Sequence, residues 1–237
     1  MLRPDSDEEA DGERDDAERR DGALLHGGGR LVGARQQQHE ARGTQTFDTA
    51  EAVRAARGVF WERGFESAPL PELERATGLS RSSIYHAFGS KRGLFDAAVE
   101  SYLDEVIRPR LAPLTGETVA PEALETYLGG LRAALLTAGS LPATSGCLLV
   151  NTAAAPIGTD DAVARVVASY RGELREAFAR GVGTALPELA GTEVDTLADA
   201  CTGLVVSAFA LVRVAPDAAA SAIDAALALL ADRRRCS

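Results

Sequence analysis

Val163, Val166, Val167, Tyr170, Leu174, Phe178 and Val182 fall on one side of a 3.6-residue period, so the segment carrying them reads as one long amphipathic helix. Thr159 is the expected cap, with Asp160 and Asp161 in the first turn, where acids complement the helix dipole. A seam this long has to be covered by other apolar surfaces, and the remainder of the chain supplies helices rather than sheets. Aromatic residues make up only 5 % of the sequence, Ala and Leu dominate its 46 % hydrophobic content, and β-branched runs are short. That bias favours helix throughout. The expected fold class is all-α.

Punctuation then divides the 237 residues. Residues 1–46 are rich in acids and arginine, hold a GGG and a QQQ run and lack any aromatic residue, so they are expected to form a disordered tail. Order is expected from "TFDTAEAVRAARGVFWERGF". Asp48 caps a first helix over 49–63 with Glu51 three residues on, and Gly64 ends it. "PLPELERAT" starts a second helix with prolines in the first turn, where their missing N–H costs little, and Gly78 stops it. Ser80 caps a third that points Ile84 and Phe88 inward. A fourth spans 91–107, with Leu94, Phe95, Ala98, Tyr102 and Val106 inside, and is halted before Pro109. Further helices are expected over 121–138, 146–155, 193–213 and 216–232.

The second and third helices, joined through Gly78 and Leu79, match a helix-turn-helix, whose second helix enters the DNA major groove. With Ile84 and Phe88 inside, the outward arc of that helix is Arg81, Ser82, Tyr85 and His86, with Ser83 at its edge. Any amphipathic helix shows polar residues to water. Here, however, no carboxylate occurs from Arg75 to Phe95, although the chain carries a formal net charge of -10. Such a total repels DNA at long range and leaves only a local basic face for contact. The start of the fourth helix joins its free N–H groups to Lys91 and Arg92, a combination suited to phosphate.

"AVRAARGVFWERGFESAPLPELERATGLSRSSIYHAFGSKRGLF" resembles the N-terminal domain of the TetR-type (tetracycline-repressor-like) transcriptional regulators over roughly residues 49–100. The resemblance implies a homodimer in which a helix-turn-helix DNA-binding domain, residues 47–107 including the linking helix, binds palindromic operator DNA. A C-terminal helical domain, residues 108–237, would bind a small-molecule effector and dimerise. It further implies that Arg81, Ser82 and Ser83 read bases while Tyr85, His86 and Lys91 hold phosphates. Where the family usually has a Thr-Ser pair capping the second helix, this chain has Ala68 and Pro69, so that cap is missing or moved to Ser67. Glu74 stands where a small residue is usual.

The last two helices mix Ala, Gly and Ser with Leu and Val, a composition that lets helices pack closely across a two-fold or within one core. The effector is expected near Leu128, Leu131, Cys147, Asn151, Tyr170 and Phe209, and the sparse charge on these stripes favours an apolar or aromatic molecule. Each of the six serves equally as packing. The function expected is a ligand-responsive regulator, a repressor by the family's commoner habit. A helical ligand-binding or scaffold protein that no longer binds DNA, and an oxidation sensor acting through Cys147, are the alternatives.

No catalytic set, metal site or cofactor is expected. His86 is the only histidine beyond the tail, and it lacks a nucleophile, a carboxylate partner or a phosphate loop around it. Cys147, Cys201 and Cys236 are odd in number and widely spaced, which fits a reducing cytoplasm rather than a disulfide framework. No unbroken run of about eighteen apolar residues occurs, and the acidic start lacks the pattern of a secretory signal, so no membrane partner is expected.

Overall fold

The structure is a computed structural model that describes residues 30–236, with side chains described over 49–235. Every element among these residues is helical. In order they are α1 (Arg30–Ser67), α2 (Leu70–Thr77), α3 (Arg81–Phe88), α4 (Lys91–Tyr102), a π turn (Leu103–Ile107), α5 (Arg108–Thr115), α6 (Ala123–Leu136), α7 (Leu141–Ser145), α8 (Leu148–Ala153), a 3-10 turn (Pro156–Thr159), α9 (Asp161–Ala185), α10 (Gly191–Leu211) and α11 (Pro216–Cys236). By its internal contacts the chain divides between Thr44 and Gln45, and the elements from Gln45 onward form one compact unit.

The first correction concerns the start of the first helix, expected at residue 49 within a chain whose residues 1–46 are expected to form a tail. Residues 1–29 of it lie outside the described residues, but from Arg30 onward the backbone is already helical, so Asp48 sits within α1 rather than at its start. No proline occurs between Arg30 and Ser67, and arginine, glutamine, alanine and leucine all propagate a helix well. The expected end holds: Gly64 leaves helical geometry at φ 75°. Beyond it, Phe65 turns back to pack on Phe95, which also meets Phe60 edge-on, with ring centroids 5.1 and 5.2 Å away respectively.

The second correction concerns Pro109, at which the helix continues rather than stops. The chain widens into the π turn just before it, and the Arg108 N–H reaches back to the Leu103 carbonyl, five residues away. Pro109 then occupies the first turn of α5, where a missing N–H and the bulk of the ring are tolerated. The insertion also slips the helical register. The buried positions run Val99, Leu103, Ile107 and Leu111, four residues apart, and Val106, expected inside, is only half-buried.

The bundle of the second half rests on α9, whose Tyr170, Leu174, Phe178 and Val182 are buried as expected, whereas Val166 lies exposed. α10 packs against both α9 and α11, and α11 against α6. By length and hydropathy alone α10 would suffice to cross a membrane, but Leu197, Ala198, Cys201, Val205 and Ala208 on it are buried within this bundle.

The cap of α9 is Asp160, not Thr159, which closes the preceding 3-10 turn by donating to the Pro156 carbonyl. Asp160 accepts from the N–H groups of Ala162 and Val163 at 3.0 and 3.1 Å and pairs with Arg92 at 3.0 Å. The Arg92 hydrogen bond, ahead of the backbone donors, holds its carboxyl down at about 2. Its stabilising contribution is therefore complete above the unfolded-chain value of about 3.9 and disappears as the pH falls through about 2. Asp160→Asn, which can still cap, should melt below the wild type at neutral pH, and that gap should close on acidification; a gap independent of pH would contradict the assignment.

Candidate functional site

The turn between α2 and α3 is fixed locally. Gly78 ends α2 in the left-handed region at φ 69°, and the Thr77 hydroxyl donates to the Leu73 carbonyl while accepting the Leu79 N–H. Ser80 then caps α3 as expected, its Oγ accepting from the Ser83 N–H at 3.2 Å. Ile84 is fully buried and Phe88 half-buried, so helical geometry alone turns Arg81, Ser82, Tyr85 and His86 outward. All four are exposed, and Ser83 with them. Neither Ser82 nor Tyr85 is in the interior.

Side-chain contacts organise this face. The Arg81 guanidinium lies over the Tyr85 ring, 5.7 Å from its centroid, and the Ser80 hydroxyl is shared with those of Ser82 and Ser83 at 2.8 and 2.9 Å. Glu74 bridges the two helices of the motif. Its Oε1 accepts the Arg81 N–H at 2.6 Å, so a carboxylate from α2 occupies a free donor at the start of α3. The sequence signal was visible in its unusual presence, but its reach was not. At the start of α2, Pro69 stands as cap without any side-chain hydrogen bond. The cap that Ala68 and Pro69 put in question is thus missing rather than transferred to Ser67.

The two basic residues at the start of α4 part company. Lys91 is half-buried with its ammonium 4.7 Å from the centre of the Phe65 ring, a cation–π contact. Burial lowers its pKa, opposed by the nearby Glu66 carboxylate. Arg92, expected to serve phosphate, instead pairs with Asp96 at 2.8 Å and with Asp160. It acts as a strut between α4 and α9. A parallel tie joins Glu66, whose Oε1 accepts the Ile157 N–H at 2.8 Å.

A second feature lies deeper, a cavity of about 360 Å³ bounded by residues of α1, α4, α5, α6 and α10. Of the six residues expected around an effector, Leu131 and Phe209 line it. Leu128, Cys147 and Tyr170 are buried elsewhere in the packing, and Asn151 spends its amide donating to the Ser145 carbonyl at 2.6 Å. Cys147 forms a layer with two phenols: Tyr102 donates to its Sγ at 3.4 Å, and the thiol faces the Tyr170 hydroxyl at 3.7 Å. Tyr102 belongs to this layer and to the cavity wall at once.

Sequence reasoning missed Trp61, Tyr102, Tyr127 and Arg110 as wall residues. Trp61 stacks edge-on against Tyr102 at 4.8 Å, and its indole N–H donates to the Gly146 carbonyl at 3.0 Å. Gly146 sits at φ 67°, and a β-carbon there would come within 2.6 Å of the Phe209 carbonyl oxygen. The wall therefore requires a glycine beside Cys147. The one available signal was that Trp61 is the only tryptophan in the chain.

The profile described as bacterial regulatory proteins, tetR family, matches residues 52–98. The uncharacterized HTH-type transcriptional regulator YezE of Bacillus subtilis is 31 % identical over 155 residues, covering 63 % of this chain and 76 % of that protein. The HTH-type transcriptional repressor ComR of Escherichia coli is 33 % identical over 45 % of this chain and 50 % of its own length. Among solved structures, a cysteine mutant of the TetR family regulator CifR complexed with 26-bp operator DNA superposes with a TM-score of 0.62 at 29 % identity, covering 75 % of this chain and 94 % of that one. SCO4454 of Streptomyces coelicolor, at 16 % identity and a TM-score of 0.65 over 78 % and 95 % of the two chains, shares the fold.

Proposed function

The chain belongs to the tetR family of bacterial regulatory proteins, and from that premise we propose that it works as a cytoplasmic homodimeric repressor that releases palindromic operator DNA when a small apolar or aromatic effector binds. It is a DNA-binding transcriptional regulator. The observation that carries the fuller reading is the exposed face of α3: Arg81, Ser82, Tyr85 and His86 stand outward over a buried Ile84. In this reading residues 47–107 bind DNA, with Arg81, Ser82 and Ser83 reading bases and Tyr85, His86 and Lys91 holding phosphates, while residues 108–237 bind the effector and dimerise. No catalytic step is part of it.

Dimerisation is assigned to α10 and α11. Gly203 and Ala210 on α10 and Ala218, Ala225 and Ala228 on α11 are exposed small residues beside a Leu229 that is 39 % exposed. Small residues on both helices permit the close approach of a four-helix interface about a two-fold axis. Two copies of α3 set about 34 Å apart then meet successive major grooves.

The effector is assigned to the cavity. Aromatic walls with few polar groups suit an apolar or aromatic molecule, and the volume lies within the range of small-molecule sites. Trp61 gives the ligand a direct hold on the DNA-binding part, because the helix that carries it is packed on α4 and runs up to the helix-turn-helix. A ligand that favours a different placing of α1 must lower operator affinity by the same coupling factor with which operator lowers ligand affinity.

Binding to the DNA upstream of the protein's own gene, measured at several salt concentrations, tests the reading. A specific dimeric reader should exceed random DNA by about a thousandfold or more, with a steep salt slope. Tyr85→Ala should weaken binding on every sequence, and Arg81→Ala should cost about 1–3 kcal/mol and relax base preference. Equal, weak binding to specific and random DNA would remove the reading in favour of a scaffold.

A further inference from the structure

The cavity wall carries one charge. Arg110 enters it from α5 just after the π turn, and no acidic side chain accompanies it there. Arginines elsewhere in this fold are mostly neutralised: Arg57 by Glu105, Arg108 by Glu173, Arg132 by Asp224. The exposed Arg110 side chain makes no ion pair or hydrogen bond with any of the described residues. Its charge is nevertheless felt inside, because it pulls down the phenol pKa of Tyr127 and Tyr102 against the larger upward push of burial.

Tyr127 supplies a second polar group. Its ring meets Phe178 edge-on, centroids 5.3 Å apart, and its hydroxyl has no hydrogen-bond partner among the described residues, whereas Tyr102 is already committed to Cys147. Aromatic surface from Trp61 and Phe209 faces the same space. A guanidinium without a counter-ion presents a planar fork of donors matched to a carboxylate, and a phenol hydroxyl is well suited to donate to the same anion.

We propose that the cavity is selective for an aromatic or apolar carboxylate, its ring against Trp61 and Phe209 and its anionic end at Arg110 and Tyr127. This rests on the reading of the cavity as the effector site and narrows the effector class to monoanions. Arg110 is thereby a specificity residue: it rejects the neutral and cationic analogues of a ligand whose apolar part fits equally well, since only the anion pairs a charge otherwise left to water.

The sole tryptophan of the chain lines the site, so emission from Trp61 reports entry while calorimetry gives affinity. The probes are 4-tert-butylbenzoate and its neutral amide, titrated into the full-length protein at neutral pH. The acid is expected to shift Trp61 emission and to bind at least about tenfold tighter than the amide, the margin of one hydrogen-bonded charge. Arg110→Gln should erase that preference. If both probes shift the emission with equal affinity, the cavity stands as a ligand site and the anion selectivity is overturned. A preference that survives Arg110→Gln overturns the role of Arg110. If neither probe enters, the effector assignment falls and the inference with it.

Discussion

Gly93→Ala is expected to abolish operator binding and to destabilise the protein by about 1–3 kcal/mol, the cost of overpacking a site that cannot yield. Gly93 is the third residue of α4, and its N–H is bound by the capping Ser90 hydroxyl at 3.0 Å. A β-carbon built there would overlap the Phe88 carbonyl oxygen, which is backbone at the end of α3. No flexible side-chain tip is present to move aside. The turn joining α3 to α4 must open instead, and the outward face of α3 moves with it. Gly172→Ala is the control: nothing lies within 4 Å of a β-carbon at that helical position, and the change should be neutral or stabilising by up to about 1 kcal/mol. A Gly93→Ala protein that melts with the wild type and binds operator unchanged would refute the account.

Trp61 separates stability from signalling. Trp61→Ala removes a ring only 5 % exposed from beside Tyr102 and should cost about 3–5 kcal/mol. Trp61→Phe keeps an aromatic ring there but leaves the Gly146 carbonyl without its indole donor, which should cost about 1–3 kcal/mol. In this folded variant operator binding should persist, while release by ligand weakens, because the ligand no longer works against a bond linking α1 to the segment before α8. Full ligand response in Trp61→Phe would show that coupling takes another route, such as the Arg92–Asp160 strut.

Where a boundary is a local event, it was legible. Gly64, Gly78 and Ser80 act through their own backbone geometry and their nearest neighbours, and each does in the fold what its residue type implies. The orientation of α3 was legible for the same reason, since Ile84 and Phe88 define an inner side and the exposed side follows. Local signals also misled. Asp48 has the chemistry of a cap, yet a cap requires the helix to begin there, and nothing before it interrupts the run from Arg30. Pro109 is a helix breaker only while the hydrogen-bond spacing is regular, and the π turn ahead of it removes that condition. Thr159 and Asp160 both suit a cap, and the choice fell to the residue that also meets Arg92 from α4.

By itself, the sequence determined an all-helical chain, the position of its helix-turn-helix, and which side of α3 is polar, because periodicity, capping and turn chemistry act over a few residues. Only the tertiary structure decided that Arg92 braces α9 rather than standing free, that Glu74 reaches the start of α3, and that Trp61, Arg110, Tyr127 and Phe209 enclose one cavity. Those contacts join different helices, from seven residues apart for Glu74 and Arg81 to 68 for Arg92 and Asp160, and helix packing together with a one-residue slip of register determines which side chains face a common space.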